Sequence, residues 1–183
     1  RTVTVAFGAT FTLGKNATLC NANSKAAGGA LHVTGTAYIY GAISNNKSTS
    51  TGAGLCTATG ATVTANGATF SGNDSRINAT VSNGGAIYVA ANSTFTDTNS
   101  TYTDNKGKNG GAIFLGGAGA NVTLNGTDAT KALFSNNTAT GDANSRGGAI
   151  FNNGGNLSVT GYTFEGNTSA SSTYPNGAIQ HVN

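Results

Sequence analysis

Apolar and polar positions along this chain return in a fixed order. A glycine-rich opening followed by an apolar residue recurs as GGALHV (28–33), GGAIYV (84–89), GGAIFL (110–115), GGAIFN (147–152) and NGAIQH (176–181), with a degenerate copy, GAGLCT, at 52–57. Between the openings lies a tetrad of the form apolar-x-x-Asn: ISNN (43–46), FSGN (70–73), YTDN (102–105), FSNN (134–137) and FEGN (164–167), with CNAN (20–23) fitting the same slot before the first opening. A period of roughly 30 residues is the mark of a solenoid, in which each repeat packs only on its neighbours.

Within a repeat the pattern has period two. Runs such as TVTV, TATVTA and STFTDT alternate β-branched and small residues as strands do, and no stretch reads as an amphipathic helix. In the unit from Gly84, the glycine pair allows a tight turn, Ala86 fits a crowded corner, and Ile87 and Val89 share one face of a strand while Tyr88 takes the other. The position of Ile87 is apolar in every copy (Leu31, Leu55, Ile113, Ile150, Ile179), whereas the next varies among His32, Cys56, Phe114, Phe151 and Gln180, which separates inside from outside. A second strand is expected around 94–98 and a third leading into Tyr102.

The tetrad ends the coil. Its aromatic is expected to point inward and its Asn to turn the chain, since Asn tolerates the left-handed region. Stacked once per coil, the amides form a ladder. The expected ladder residues are Asn23, Asn46, Asn73, Asn105, Asn137 and Asn167, with Phe70, Tyr102, Phe134 and Phe164 stacked beside them. The predicted architecture is all-β: a right-handed parallel β-helix of about six coils, about 4.8 Å per coil and roughly 30 Å long. The whole of 1–183 is read as one β-helix, either complete or an uncapped segment of a longer array, with an extra loop at 116–121.

Composition narrows the class. Charged residues are 8%, Gly is 28 of 183, Met and Trp are absent, and the net charge is +3. So small a charge, with no basic helix and no RNA-binding signature, excludes nucleic acid as a partner. No apolar run approaches the ~20 residues of a membrane helix. The chain shows no initiator Met and no signal peptide, which reads as a processed or excised piece. A surface rich in Thr, Ser and Asn points to an extracellular protein.

The alternating GGA-[I/L] and F-x-x-N motifs resemble the passenger domains of chlamydial polymorphic membrane proteins, an autotransporter adhesin family, over nearly the whole span from Cys20 to Ile179. The resemblance implies surface display and adhesion. This chain lacks that family's membrane-anchoring barrel and is poorer in charge, which leaves a fibre-forming role open.

The chemically capable residues are sparse. His32 and His181 fall in first and last coils and read as surface histidines. The carboxylates Asp74, Asp97, Asp104, Asp128, Asp142 and Glu165 include no Asp-Asp or Asp-x-Asp pair and no Ca²⁺-binding repeat. No catalytic residue, metal or cofactor is therefore expected. Cys20, in the aromatic slot of CNAN, is expected inward and Cys56 outward, which favours two unpaired thiols over a disulfide. Sequons are many, Asn78 among them; Asn92 and Asn99 are the candidate glycosylation sites. Thr-x-Thr recurs, as on ice-binding solenoids, but β-propensity on a solvated strand accounts for it and the later coils break the pattern (121–124, 157–160).

Two further expectations concern surfaces. Lys25, Lys47, Arg76, Lys106, Lys108 and Arg146 lie in loops between tetrads and openings, where only Asp74, Asp104 and Asp142 oppose them, so stacked coils should form a weakly basic edge able to meet anionic glycans. The tail (176–183) and head (1–23) read as complementary halves of one coil, which would let copies stack head to tail. The sequence thus reads as a non-enzymatic structural or adhesive surface solenoid. Its partners would be itself or the glycans or proteins of a host or neighbouring cell. A glycan-active β-helix enzyme and an ice binder are the alternatives.

Overall fold

The computed structural model describes residues 2–76, 82–173 and 177–182. The Asn78 sequon and the first residue of the last opening, Asn176, lie outside them, as do Arg1 and Asn183. The described chain is all-β and winds as a β-solenoid of about six turns. Each coil contributes one strand to each of three parallel sheets, and every sheet grows one strand per coil in chain order. The opening sheet has seven strands, from Val3–Val5 through Leu31–Val33, Leu55–Thr57, Ile87–Val89, Ile113–Leu115 and Ile150–Asn153 to Ile179–Val182. The middle sheet has six strands, from Thr10–Leu13 to Asn156–Thr160, and the closing sheet six, from Thr18–Cys20 to Thr163–Glu165.

Stacking is in strict register, so each inward residue sits on its equivalent in the next coil. Leu31, Leu55, Ile87, Ile113 and Ile150 form one column, and all five are fully buried. In the closing sheet Ile43, Phe70, Tyr102, Phe134 and Phe164 form another. Its rings lie nearly parallel, with centroids 5.0 Å apart for Phe70–Tyr102, 4.2 Å for Tyr102–Phe134 and 4.8 Å for Phe134–Phe164. The inward columns of the three sheets meet in one core, where Phe70 of the closing sheet packs edge-on against Phe95 of the middle sheet with ring centroids 6.5 Å apart.

The two glycines of an opening serve different needs. Gly84, Gly110 and Gly147 adopt φ of 66°, 63° and 63°, where an L side chain is strained. Gly111 has no such φ; a Cβ there would stand 2.1 Å from the carbonyl oxygen of Gly148 in the next coil. One glycine bends the chain and the other admits the neighbouring backbone.

Three sequence expectations are corrected by register. Leu19, not Cys20, pairs with Ile43, so the first tetrad is Leu19-Cys20-Asn21-Ala22, Cys20 is exposed, and Asn23 faces solvent beside Lys47 rather than joining the ladder. The left-handed residue is the third of each tetrad, with φ of 54° at Asn45, 61° at Gly72, 56° at Asp104, 53° at Asn136 and 60° at Gly166. The closing Asn does not turn the chain. Finally, Val3–Val5 pairs with Leu31–Val33 and is itself an opening strand. Tail joined to head would place two opening strands in succession, so the ends are not complementary halves of a coil.

Outward residues of the opening sheet are also not uniformly exposed. Tyr88, Phe114 and Phe151 stack on its outer face at 5.4 Å spacings, and Phe114 and Phe151 are buried there. Below them Cys56 is buried and its thiol, unpaired, is pushed up to about 11 by burial, only partly offset by its contact with Thr51.

Position in the stack sets the cost of truncation. Phe134→Ala, with rings above and below, is expected to destabilise by about 3–5 kcal/mol. Phe164→Ala should cost clearly less, because Phe164 is only partly buried in the last complete coil. Denaturant titration of the two variants checks the order; equal losses would contradict an additive stack.

Candidate functional site

The ladder column is a fully bonded buried chain. Asn46, Asn73, Asn105 and Asn137 are fully buried. The Asn105 Nδ2 donates to Asn137 Oδ1 at 3.0 Å and to the Phe70 carbonyl at 2.8 Å. Its Oδ1 accepts from Asn73 Nδ2 at 3.0 Å and from the Asn73 backbone N–H at 3.1 Å. The same four bonds recur at Asn73 and Asn137. The column starts at Asn46, whose Oδ1 accepts from the Ala22 N–H at 2.9 Å, and ends at Asn167, whose Nδ2 donates to the Phe134 carbonyl.

The loops that follow the ladder carry the charges. Lys47, Asp74 and Lys106 stand in one column, joined by isolated bridges. Arg76 clasps Asp74 through Nε at 2.9 Å and Nη2 at 2.8 Å. Burial pushes the Asp74 carboxyl up, but the hydrogen bonds and charge of Arg76, with Lys106 nearby, outweigh it and leave the group below the usual carboxylate range. Lys108 pairs with Asp142 at 2.9 Å. Arg146 is half-buried, and its N–H donates to Asn109 Oδ1. Lys25, Lys47 and Lys106 are the exposed members. The expected edge is therefore narrower than six cations, because Arg76 and Lys108 are neutralised locally.

The two candidate glycosylation sites differ. Asn92 is exposed at a turn with φ of 56°. Asn99 is committed: its Oδ1 accepts from the N–H groups of Thr127 and Asp128 at 2.7 and 2.9 Å, and its Nδ2 donates to Thr127 Oγ1. Asn99 is half-buried and anchors the loop that carries Thr127 and Asp128.

One polar cluster escapes a composition-based reading. Asp97 shares strand parity with Phe95, an inward position, and that alternation is the signal that marks it. It is fully buried in the coil interior. Ser100 Oγ donates to its Oδ1 at 2.5 Å, Tyr102 Oη to its Oδ2 at 2.9 Å, and Tyr162 Oη also to Oδ2. Tyr162 comes from two coils away, in the column of Ser100 and the small, fully buried Ala132, and packs on Phe134 at 5.4 Å. Its hydroxyl also accepts the Ser100 N–H at 2.9 Å. The carboxylate is satisfied and sealed, which makes it a tie between coils rather than a group that meets substrate. Among the described residues no group of three or more His, Cys, Asp and Glu is placed to hold a metal.

Burial pushes the Asp97 carboxyl up, and the hydroxyls of Ser100, Tyr162 and Tyr102 hold back part of the rise. A raised folded value means the folded state keeps its proton longer than the unfolded chain, whose Asp titrates near about 3.9. This group's contribution is thus full below about pH 4 and is lost as pH rises through the folded value. In thermal melts across that range, Asp97→Asn should remove the decline, so that the stability of wild type relative to variant falls with rising pH. A difference that is flat or rises with pH would contradict the assignment.

The Chlamydia polymorphic membrane protein (Chlamydia_PMP) repeat model matches residues 131–153. This stretch holds the strand Leu133–Ser135, the ladder residue Asn137, and the opening strand Ile150–Asn153, hence one tetrad and the opening that follows it. No match is found among curated proteins or among solved structures. Over one copy of its paired motifs, the chain resembles the repeats of chlamydial polymorphic membrane proteins.

Proposed function

We propose that this chain is a repeat segment of a surface-displayed, adhesin-like solenoid, in which the stacked coils are scaffold and the corner loops are the contact surface. The observation that carries this reading is the repeat match at 131–153, because the motif pair it covers recurs along the chain, as FSGN (70–73) with GGAIYV (84–89) and YTDN (102–105) with GGAIFL (110–115). The sparse charge and the Thr-, Ser- and Asn-rich exterior suit an extracellular or cell-surface location. The partners under this reading are glycans or proteins of an opposing cell.

Beads coated with the chain test the reading. Adhesion to epithelial cells, above albumin-coated beads and competed by soluble chain, is the expected result. Adhesion equal to the albumin control would count against it.

A second reading rests on the outer face of the middle sheet. There Thr10, Thr36, Thr62 and Thr94 stand in register across four coils, as an ice-binding face requires. The neighbouring column is broken by Tyr38, which protrudes. Thermal hysteresis that falls on Thr62→Lys would favour ice binding; its absence would remove that reading.

A further inference from the structure

The corners between the middle and closing sheets are of unequal length. In the second, third and fourth coils the chain turns through two residues only: Tyr40 and Gly41, Gly67 and Ala68, Asn99 and Ser100. The first coil uses 14–17, and the fifth uses 126–132. Low corners therefore lie between two raised ones. The step leaves a groove of about 290 Å³ lined by Lys15, Tyr40, Asn66, Gly67, Asn99 and Lys131.

The groove is built rather than incidental. Its far wall is tied to its floor by the Asn99 amide, as described above, and by Thr101 Oγ1, which donates to the Lys131 carbonyl at 2.8 Å. The wall is closed on itself by Asp128, which accepts from the Thr130 N–H and Oγ1 at 3.0 and 2.6 Å. The near wall is a turn in which the Ala17 N–H donates to the Gly14 carbonyl at 2.9 Å. The floor is open at Gly67, where a Cβ would meet nothing within 4 Å. Each wall carries one lysine. Lys131 lies 3.5 Å from Asp128 with its side chain 63% exposed, a weak pair that a ligand anion can replace. Lys15 is exposed. Four coils separate the two, about 19 Å at 4.8 Å per coil.

The chemistry selects the guest. It must be elongated, polar along its length and negative at intervals. Half-buried Tyr40 lines the groove with a ring of the kind on which a pyranose stacks, and the amide of exposed Asn66 supplies paired donors and acceptors for neighbouring hydroxyls. Among the described residues that line the groove none is a Val, Leu or Ile that could anchor a peptide side chain, and a corner offers no free strand edge for an added peptide strand. We infer that this groove binds an acidic oligosaccharide, its anionic groups directed to Lys15 and Lys131 and one sugar face on Tyr40. The binding stands whether or not the chain is displayed on a cell.

Calorimetric titration of the 183-residue chain with a hyaluronan octasaccharide tests this, with a heparin octasaccharide and an octaglutamate peptide beside it. Saturable binding of either sugar is expected, hyaluronan assigning carboxylate and heparin sulfate as the anion. Tyr40→Ala should weaken it about tenfold, equivalent to about 1.4 kcal/mol, with the salt dependence unchanged. Lys15→Ala combined with Lys131→Ala should weaken it and flatten the salt dependence. Lys47→Ala combined with Lys106→Ala, on the outer charge column, should leave it unchanged. All these side chains lie outside the core, and matching thermal melts would verify that each variant folds. No saturable sugar binding, equal affinity for octaglutamate, or loss only in the Lys47 and Lys106 pair would overturn the inference.

Discussion

The buried asparagine column is the constraint from which the rest of the coil geometry follows. At the corner that ends each closing strand, the carbonyls of Ile43, Phe70, Tyr102 and Phe134 accept from the Asn one coil on. A buried amide left unpaired costs about 1–3 kcal/mol, so each Asn must find its neighbour at the spacing of a parallel sheet. That requirement fixes the register of every coil on the next. Once it is met, the aromatic immediately inside the corner must also stack, and the nearly parallel rings of Phe70, Tyr102, Phe134 and Phe164 are the consequence.

The small residues serve the same spacing. Gly111 must pass within a backbone's width of Gly148 if the coils are to sit at sheet distance, and Ala132 must be small if Tyr162 is to reach Asp97 across it. The Asp97 cluster adds a tie that spans two steps of the stack rather than one. Buried polar groups here do not replace the apolar columns. They specify which coil lies on which, while the columns of Ile, Leu and Phe supply the burial.

Much of this is legible in the residues because the signal repeats. The column of Ile87 and the aromatic of the tetrad each recur with one side-chain character, and period two assigns them inward. The errors lie where a repeat is incomplete. In the first coil Leu19 and Cys20 are both apolar, and the Asn of CNAN drew the register one residue late; pairing with Ile43 selects the larger Leu19. Val3–Val5 has no glycine pair before it and so reads poorly as an opening strand. The left-handed residue of the tetrad is hidden because Asn, Asp and Gly alternate there, all tolerant of positive φ. The groove at Lys15 and Lys131 has no signature in the repeats, since it arises from unequal spacing between strands, not from any recurring residue.

A solenoid held in this way separates scaffold from surface. The interior repeats under strict constraint, whereas the corners vary in length and charge without disturbing the register, which is the property a display scaffold needs. The claim that the Asn column is a continuous, solvent-sealed chain is tested most directly by hydrogen exchange of side-chain amides followed by NMR. The Nδ2 protons of Asn73, Asn105 and Asn137 should be protected to the level of the surrounding strand amides, while those of exposed Asn92 exchange freely. Exchange of the column amides at the rate of Asn92 would contradict the account.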